Sequence, residues 1–139
     1  AMWALRDDVE SLRTWGPTIG FDVGLPIASM PDYLDEIDVP IVAEWPERKR
    51  AVFGHLGDGN LHIVYAVGEA GDNAKKLVND SVYHPLASRG GSVSAEHGIG
   101  LLKKDYLEVS RSPAEIALMK QLKGMMDPNN ILNPGKIFS

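Results

Sequence analysis

Cysteine is absent from the 139 residues. That excludes a disulfide framework, a thiolate-held metal and a thiol nucleophile. An excess of positive charge is also missing: 14 Lys and Arg stand against 19 Asp and Glu, for a net charge of −5. Nothing in that balance draws the chain to a phosphate backbone, so a nucleic-acid role has no electrostatic support. No apolar run approaches the ~18 residues of a membrane-spanning helix. Residues 1–8 lack the basic-then-apolar layout of a secretory leader, and the expected location is the cytoplasm or the membrane periphery. There is no Gly-x-Ser-x-Gly elbow for a serine nucleophile. There is also no Gly-x-Gly-x-x-Gly turn between a strand and a helix to bind a dinucleotide. Internal repeats and low-complexity segments are absent too.

What is present is a concentration of histidine and glycine. Three of the four histidines fall in two glycine-rich segments, Gly54-His55-Leu56-Gly57-Asp58-Gly59-Asn60-Leu61-His62 and Ser94-Ala95-Glu96-His97-Gly98-Ile99-Gly100. Glycine lets the main chain turn at positive φ and come close to a ligand. His55 and His62 flank a turn at 56–60, so the strands on either side would bring both imidazoles toward one point. Two histidines and a carboxylate, Glu96, suit a divalent cation that keeps a coordination position open for substrate. His97, beside Glu96 in a glycine-bounded loop, remains as an imidazole able to act as a general base. Each of these residues taken singly also reads as a hydrogen-bonded loop or core side chain. Asp58 and Asn60 are ordinary turn formers, and Asn60 is in addition a candidate substrate contact. Arg6 could bind a substrate carboxylate or stand solvated on a helix. The basic residues Arg48, Lys49, Arg50, Lys103 and Lys104 read as solvated.

The 44% hydrophobic content is enough for one domain with a real core. Periodicity predicts a helix over residues 3–14, a strand over 19–27 and a short helix from Pro31 through Ile37 with Ser29 as its cap. Pro40 is expected to break that helix, with a separate turn following at 40–48. Residues 51–54 and 61–67 read as a hairpin around the glycine loop. A helix is expected over 71–89, and a last one over 113–126 with Ser112 and Glu115 as a capping box. Helices flanking an antiparallel sheet make this an α+β chain.

The segments 54–62, 94–100 and Asp127-Pro128-Asn129-Asn130-Ile131-Leu132-Asn133-Pro134-Gly135-Lys136-Ile137-Phe138 together resemble the C-terminal domain of FAD-linked oxidases. That family includes D-lactate dehydrogenase, the glycolate oxidase FAD subunit and D-2-hydroxyglutarate dehydrogenase. The likeness runs from about Trp3 to Phe138. It implies that residues 1–139 are the latter part of a substrate (cap) domain, a fragment of a longer chain whose FAD-binding domain lies upstream. Residues 127–139 would be a tail that packs on that flavin domain. By resemblance, His55, His62 and Glu96 match ligands of a divalent metal, usually zinc. His97 matches the proposed base, Arg6 the arginine that binds the substrate carboxylate, and Asn133 is carried as a weak cofactor contact. The implied reaction oxidises a small 2-hydroxy acid to a 2-oxo acid, with hydride transfer to FAD.

The chain departs from the hydroxyglutarate dehydrogenases at three places. Gly20 stands where they carry Lys, Glu10 where they carry Thr, and Val64 where they carry Asn. Loss of a cation and gain of a carboxylate disfavour a dicarboxylate substrate. Two other readings remain open at the level of sequence. One is a free-standing, non-catalytic metal-binding module; the other is a flavin-free metallohydrolase using Glu96 or His97 as base.

Overall fold

The computed structural model describes residues 8–68 and 71–138. Arg6 and the start of the expected first helix lie outside these residues, as does the side chain of Glu10. Asp8–Trp15 forms a 3-10 helix. Three strands follow in an antiparallel sheet: β1 (Ile19–Gly24), β2 (Lys49–His55) and β3 (Asn60–Ala66), in the order β1-β3-β2. The helices are α1 (Met30–Glu44), α2 (Asp72–Tyr83), the single turn α3 (Leu107–Ser110) and α4 (Pro113–Met126). This is the α+β arrangement that the sequence pattern predicts.

Alternation sorts the strands into two faces. Phe21 and Val23 of β1 and Leu61, Ile63 and Tyr65 of β3 point into one apolar cluster. They join Tyr33, Ile37 and Ile41 of α1 and Ala74, Val78 and Val82 of α2 there. Truncating a fully buried member such as Ile37 or Ile63 would cost about 2–5 kcal/mol. The opposite face carries Asp22, His62 and Val64, and this is the face that bears the site.

α1 departs from expectation. It runs straight through Pro40 to Glu44, although proline withholds an N–H from the ladder and crowds the preceding turn. Ile37 and Ile41, one on each side of Pro40, are both 0% exposed, and burial of that stripe holds the helix together. Ser29 does not cap it either. It is the last residue of a 3-10 turn, Ile27–Ser29, and its own αR backbone leaves the hydroxyl without a capping bond.

The basic run that opens β2 is engaged rather than solvated. Asp38 of α1 accepts from Arg48 in a bidentate pair and from the Tyr65 hydroxyl at 3.1 Å. Arg50 donates to the Leu34 carbonyl at 2.9 Å. These bonds tie α1 to both β2 and β3.

The expected capping box is present on α4: the Glu115 N–H donates to Ser112 Oγ at 3.3 Å and the Ser112 N–H to Glu115 Oε2 at 2.7 Å. Only Ile116 of α4 is buried, while Leu118, Leu122, Met125 and Met126, with Ile131 and Leu132 beyond, stand exposed. Asp127 closes the helix by accepting from the N–H groups of Ile131 and Leu132, each at 2.9 Å, and from Lys123. The tail then returns to the site loop, where the Ile137 N–H donates to the Gly100 carbonyl at 2.9 Å.

Candidate metal and substrate site

The β2–β3 hairpin places two of the histidines. His55 ends β2, residues 56–58 make one 3-10 turn, and Gly59 at φ 75° starts the return. His55 pairs across the hairpin with Asn60, and Phe53 with His62. Two glycines are required by the backbone itself. Gly54 sits at φ +152°, where a Cβ would meet the Asn60 carbonyl oxygen at 2.3 Å. At Gly59 (φ +75°) a Cβ would meet the Leu25 carbonyl oxygen at 2.7 Å. A side chain at Gly54 would push the hairpin apart, and one at Gly59 would push its turn away from the end of β1, just where the histidines converge.

The second segment is laid along the free edge of β1. Gly24 and Ser92 exchange backbone bonds at 3.0 and 2.6 Å, and the Ala95 N–H donates to the Asp22 carbonyl at 3.3 Å. Glu96 is thereby carried over the sheet to the histidines. Its Oε1 lies 3.4 Å from His55 Nε2 and its Oε2 3.9 Å from His62 Nε2. One ligating atom from each of the three falls within 4.8 Å of the others. Asn60, expected at the substrate, is instead buried beneath this group at 3% exposure, and its Nδ2 donates to Glu96 Oε1 at 2.8 Å. Its Oδ1 is buried without a partner. The His97 ring lies 5.8 Å from that of His62 and is well exposed, at 66%.

This geometry fits a divalent cation. Two imidazoles and one carboxylate converge with an open side, and Asn60 steadies the carboxylate from behind, as outer partners of metal ligands commonly do. Arg6 lies outside the described residues. Asn133 sits in an exposed left-handed turn, its carbonyl accepting from the Lys136 N–H at 3.3 Å. Among the described residues no hydrogen bond joins it to the histidine cluster.

Sequence reading missed the pair that holds the Glu96-His97 loop in place. Asp22, 1% exposed, accepts from the N–H of Glu96 at 2.9 Å, from that of His97 at 2.8 Å and from Ser94 Oγ at 3.1 Å. Lys103, expected to be solvated, is only 8% exposed, with its ammonium 3.5 Å from the Asp22 carboxylate and 3.1 Å from Ser94 Oγ. Burial pushes the Asp22 carboxyl upward, but the N–H bonds from His97 and Glu96 and the charge of Lys103 outweigh it. The net shift is below the ordinary value. Burial lowers the Lys103 ammonium, partly offset by Asp22. The available signal was a lone carboxylate between two core residues, Phe21 and Val23, because an aspartate on the outer face of a strand needs donors if anything covers it.

A cavity of about 470 Å³ adjoins His62 and His97 on the same face. No helix among the described residues is long and apolar enough to cross a membrane.

The family model described as "FAD linked oxidases, C-terminal domain" matches residues 1–137. The chain is similar to the D-2-hydroxyglutarate dehydrogenase of Stutzerimonas stutzeri, at 42% identity over 99% of this chain and 31% of that protein. It is 38% identical to the mitochondrial D-2-hydroxyglutarate dehydrogenase of Bos taurus, over 99% of this chain and 25% of the relative. It is also similar to the D-2-hydroxyglutarate–pyruvate transhydrogenase of Saccharomyces cerevisiae, at 37% identity over 97% of this chain and 29% of the relative. The chain thus spans only between a quarter and a third of the length of these curated relatives.

Proposed function

The chain belongs to the FAD linked oxidases as their C-terminal domain, and on that premise we propose that it is the substrate- and metal-binding part of an FAD-dependent 2-hydroxy-acid dehydrogenase. The observation that carries this reading is the convergence of His55, His62 and Glu96 beside an open cavity and a fourth functional group, His97.

His55, His62 and Glu96 would hold a divalent ion, with zinc the expected metal. An ion bound there supplies Lewis acidity, which makes a substrate hydroxyl easier to deprotonate. The side chains do the rest. Asn60 fixes the Glu96 carboxylate through its 2.8 Å bond. Asp22 anchors the backbone of Glu96 and His97, so that the ligand and the base move as one piece. His97 takes the hydroxyl proton of the 2-hydroxy acid. FAD, which the family description names, would supply the acceptor for the Cα hydrogen and its electron pair when bound, and the product would be a 2-oxo acid. Arg6 would receive the substrate carboxylate.

A flavin domain of the same natural chain is the expected partner. The exposed apolar side chains of α4 and the stretch after it, from Leu118 to Leu132, are the surface that it would cover. The test is His62→Ala in the full-length flavoprotein. Metal content and turnover should fall together while the flavin absorbance stays. Undiminished turnover in that variant would remove the metal assignment.

A further inference from the structure

If this is the substrate side of a 2-hydroxy-acid dehydrogenase, the sheet face beside His62 decides which side chain the acid can carry. Residues two apart on a strand share a face and stand ~7 Å apart. The register puts Asp22, His62 and Phe53 in one row across the sheet, with Gly20, Val64 and Ala51 in the next. Moving away from the histidines, the face therefore turns apolar in a single step. The cavity of about 470 Å³ opens there, with Phe53, Val64, Ile99, Leu101 and Leu102 among its walls. Gly20 adds depth, since a Cβ at that position would meet nothing within 4 Å.

Among the described residues, the cations near this cavity are already committed. Lys103 is buried at the wall, and its ammonium is used by Ser94 Oγ at 3.1 Å, the Asp22 carbonyl at 3.3 Å and the Asp22 carboxylate at 3.5 Å. Lys49 pairs with Ala66, two rows beyond His62 and so ~14 Å away along the strand. Its ammonium sits over the Trp15 ring at 5.8 Å. Among the described residues, none of the wall beyond the His62 row offers an uncommitted positive group.

We propose that this cavity receives the side chain of the acid and that the side chain is apolar: the substrate is a 2-hydroxy monocarboxylic acid bearing an alkyl or aryl group. A second carboxylate placed there would lose its hydration with no uncommitted cation among the described residues to replace it. A lone methyl would leave most of the space unfilled, so a branched alkyl chain gains by contact. The proposal rests on the function proposed above, and the experiment separates the two.

The full-length chain with its flavin domain is mixed anaerobically with lactate, 2-hydroxyisocaproate, mandelate or 2-hydroxyglutarate, and flavin bleaching and kcat/KM are read. We expect kcat/KM for 2-hydroxyisocaproate to exceed that for 2-hydroxyglutarate by at least about tenfold. Val64→Lys should narrow that ratio by raising the dicarboxylate. An equal or higher kcat/KM for 2-hydroxyglutarate in the unaltered protein would overturn the apolar assignment and leave the 2-hydroxy-acid dehydrogenase reading standing. No bleaching by any of the four acids would remove both.

Discussion

Asp22 is the residue on which the candidate site depends most, although its carboxylate bonds to none of the side chains of His55, His62 and Glu96, the three proposed ligands. Its carboxylate is buried against the backbone of Glu96 and His97 and against Lys103. Asp22→Ala would leave two backbone N–H groups without partners and the Lys103 ammonium without its counter-charge. Breaking a buried pair from one side costs about 3–5 kcal/mol, so the denaturant midpoint of the variant should drop sharply. A change below about 1 kcal/mol would mean that the loop is held in some other way. The grouping of His55, His62 and Glu96 was legible beforehand, because glycine-rich turns with a histidine on each side leave the imidazoles few other places to go. The Asp22–Lys103 pair was not. Its partners lie 81 residues apart, and although the lone carboxylate between Phe21 and Val23 marks the position, local sequence does not say which residue covers it.

At the scale of elements, local signals were read well where local physics decides. The Ser112–Glu115 capping box involves residues three apart, and the hairpin follows from its own glycines. Pro40 shows the opposite case. Its intrinsic cost is real, but burial of Ile37 and Ile41 outweighs it. Arg48 and Arg50 looked solvated for the same reason, since Asp38 reaches them only once α1 has packed.

The link from α2 to the turn ahead of α3 carries a pH dependence. Asp80 accepts from Tyr106 Oη at 2.7 Å and from Lys76 at 2.6 Å. Burial raises its carboxyl, but the bonds from Lys76 and Tyr106 outweigh this and leave it below the ordinary value. A carboxyl depressed in the folded state stabilises the fold above its unfolded value of about 4, and that stability is lost as pH falls through the folded value. Asp80→Asn should therefore be less stable than the parent above about pH 4, with the gap closing under more acid conditions. Urea midpoints taken across that range check it, and a gap that stayed constant into acid would contradict the assignment.

For the whole molecule, the division of surfaces is informative. One face of the sheet is sealed by α1 and α2, and the other carries the histidines, the carboxylate and the apolar cavity. Uncovered apolar side chains gather on α4 and the segment after it, where exposed patches mark a surface meant to be covered. A flavin domain packed there would bring the hydride acceptor to a site that this chain only half builds. The central claim is that the His55–His62–Glu96 cluster holds a metal on which oxidation of a 2-hydroxy acid depends. The most direct measurement is turnover of the full-length flavoprotein before and after removal of divalent metal by a chelator, with metal added back. The account predicts loss of turnover with FAD still bound, and recovery on addition of zinc or a similar ion. An unchanged rate in the metal-free protein would contradict it.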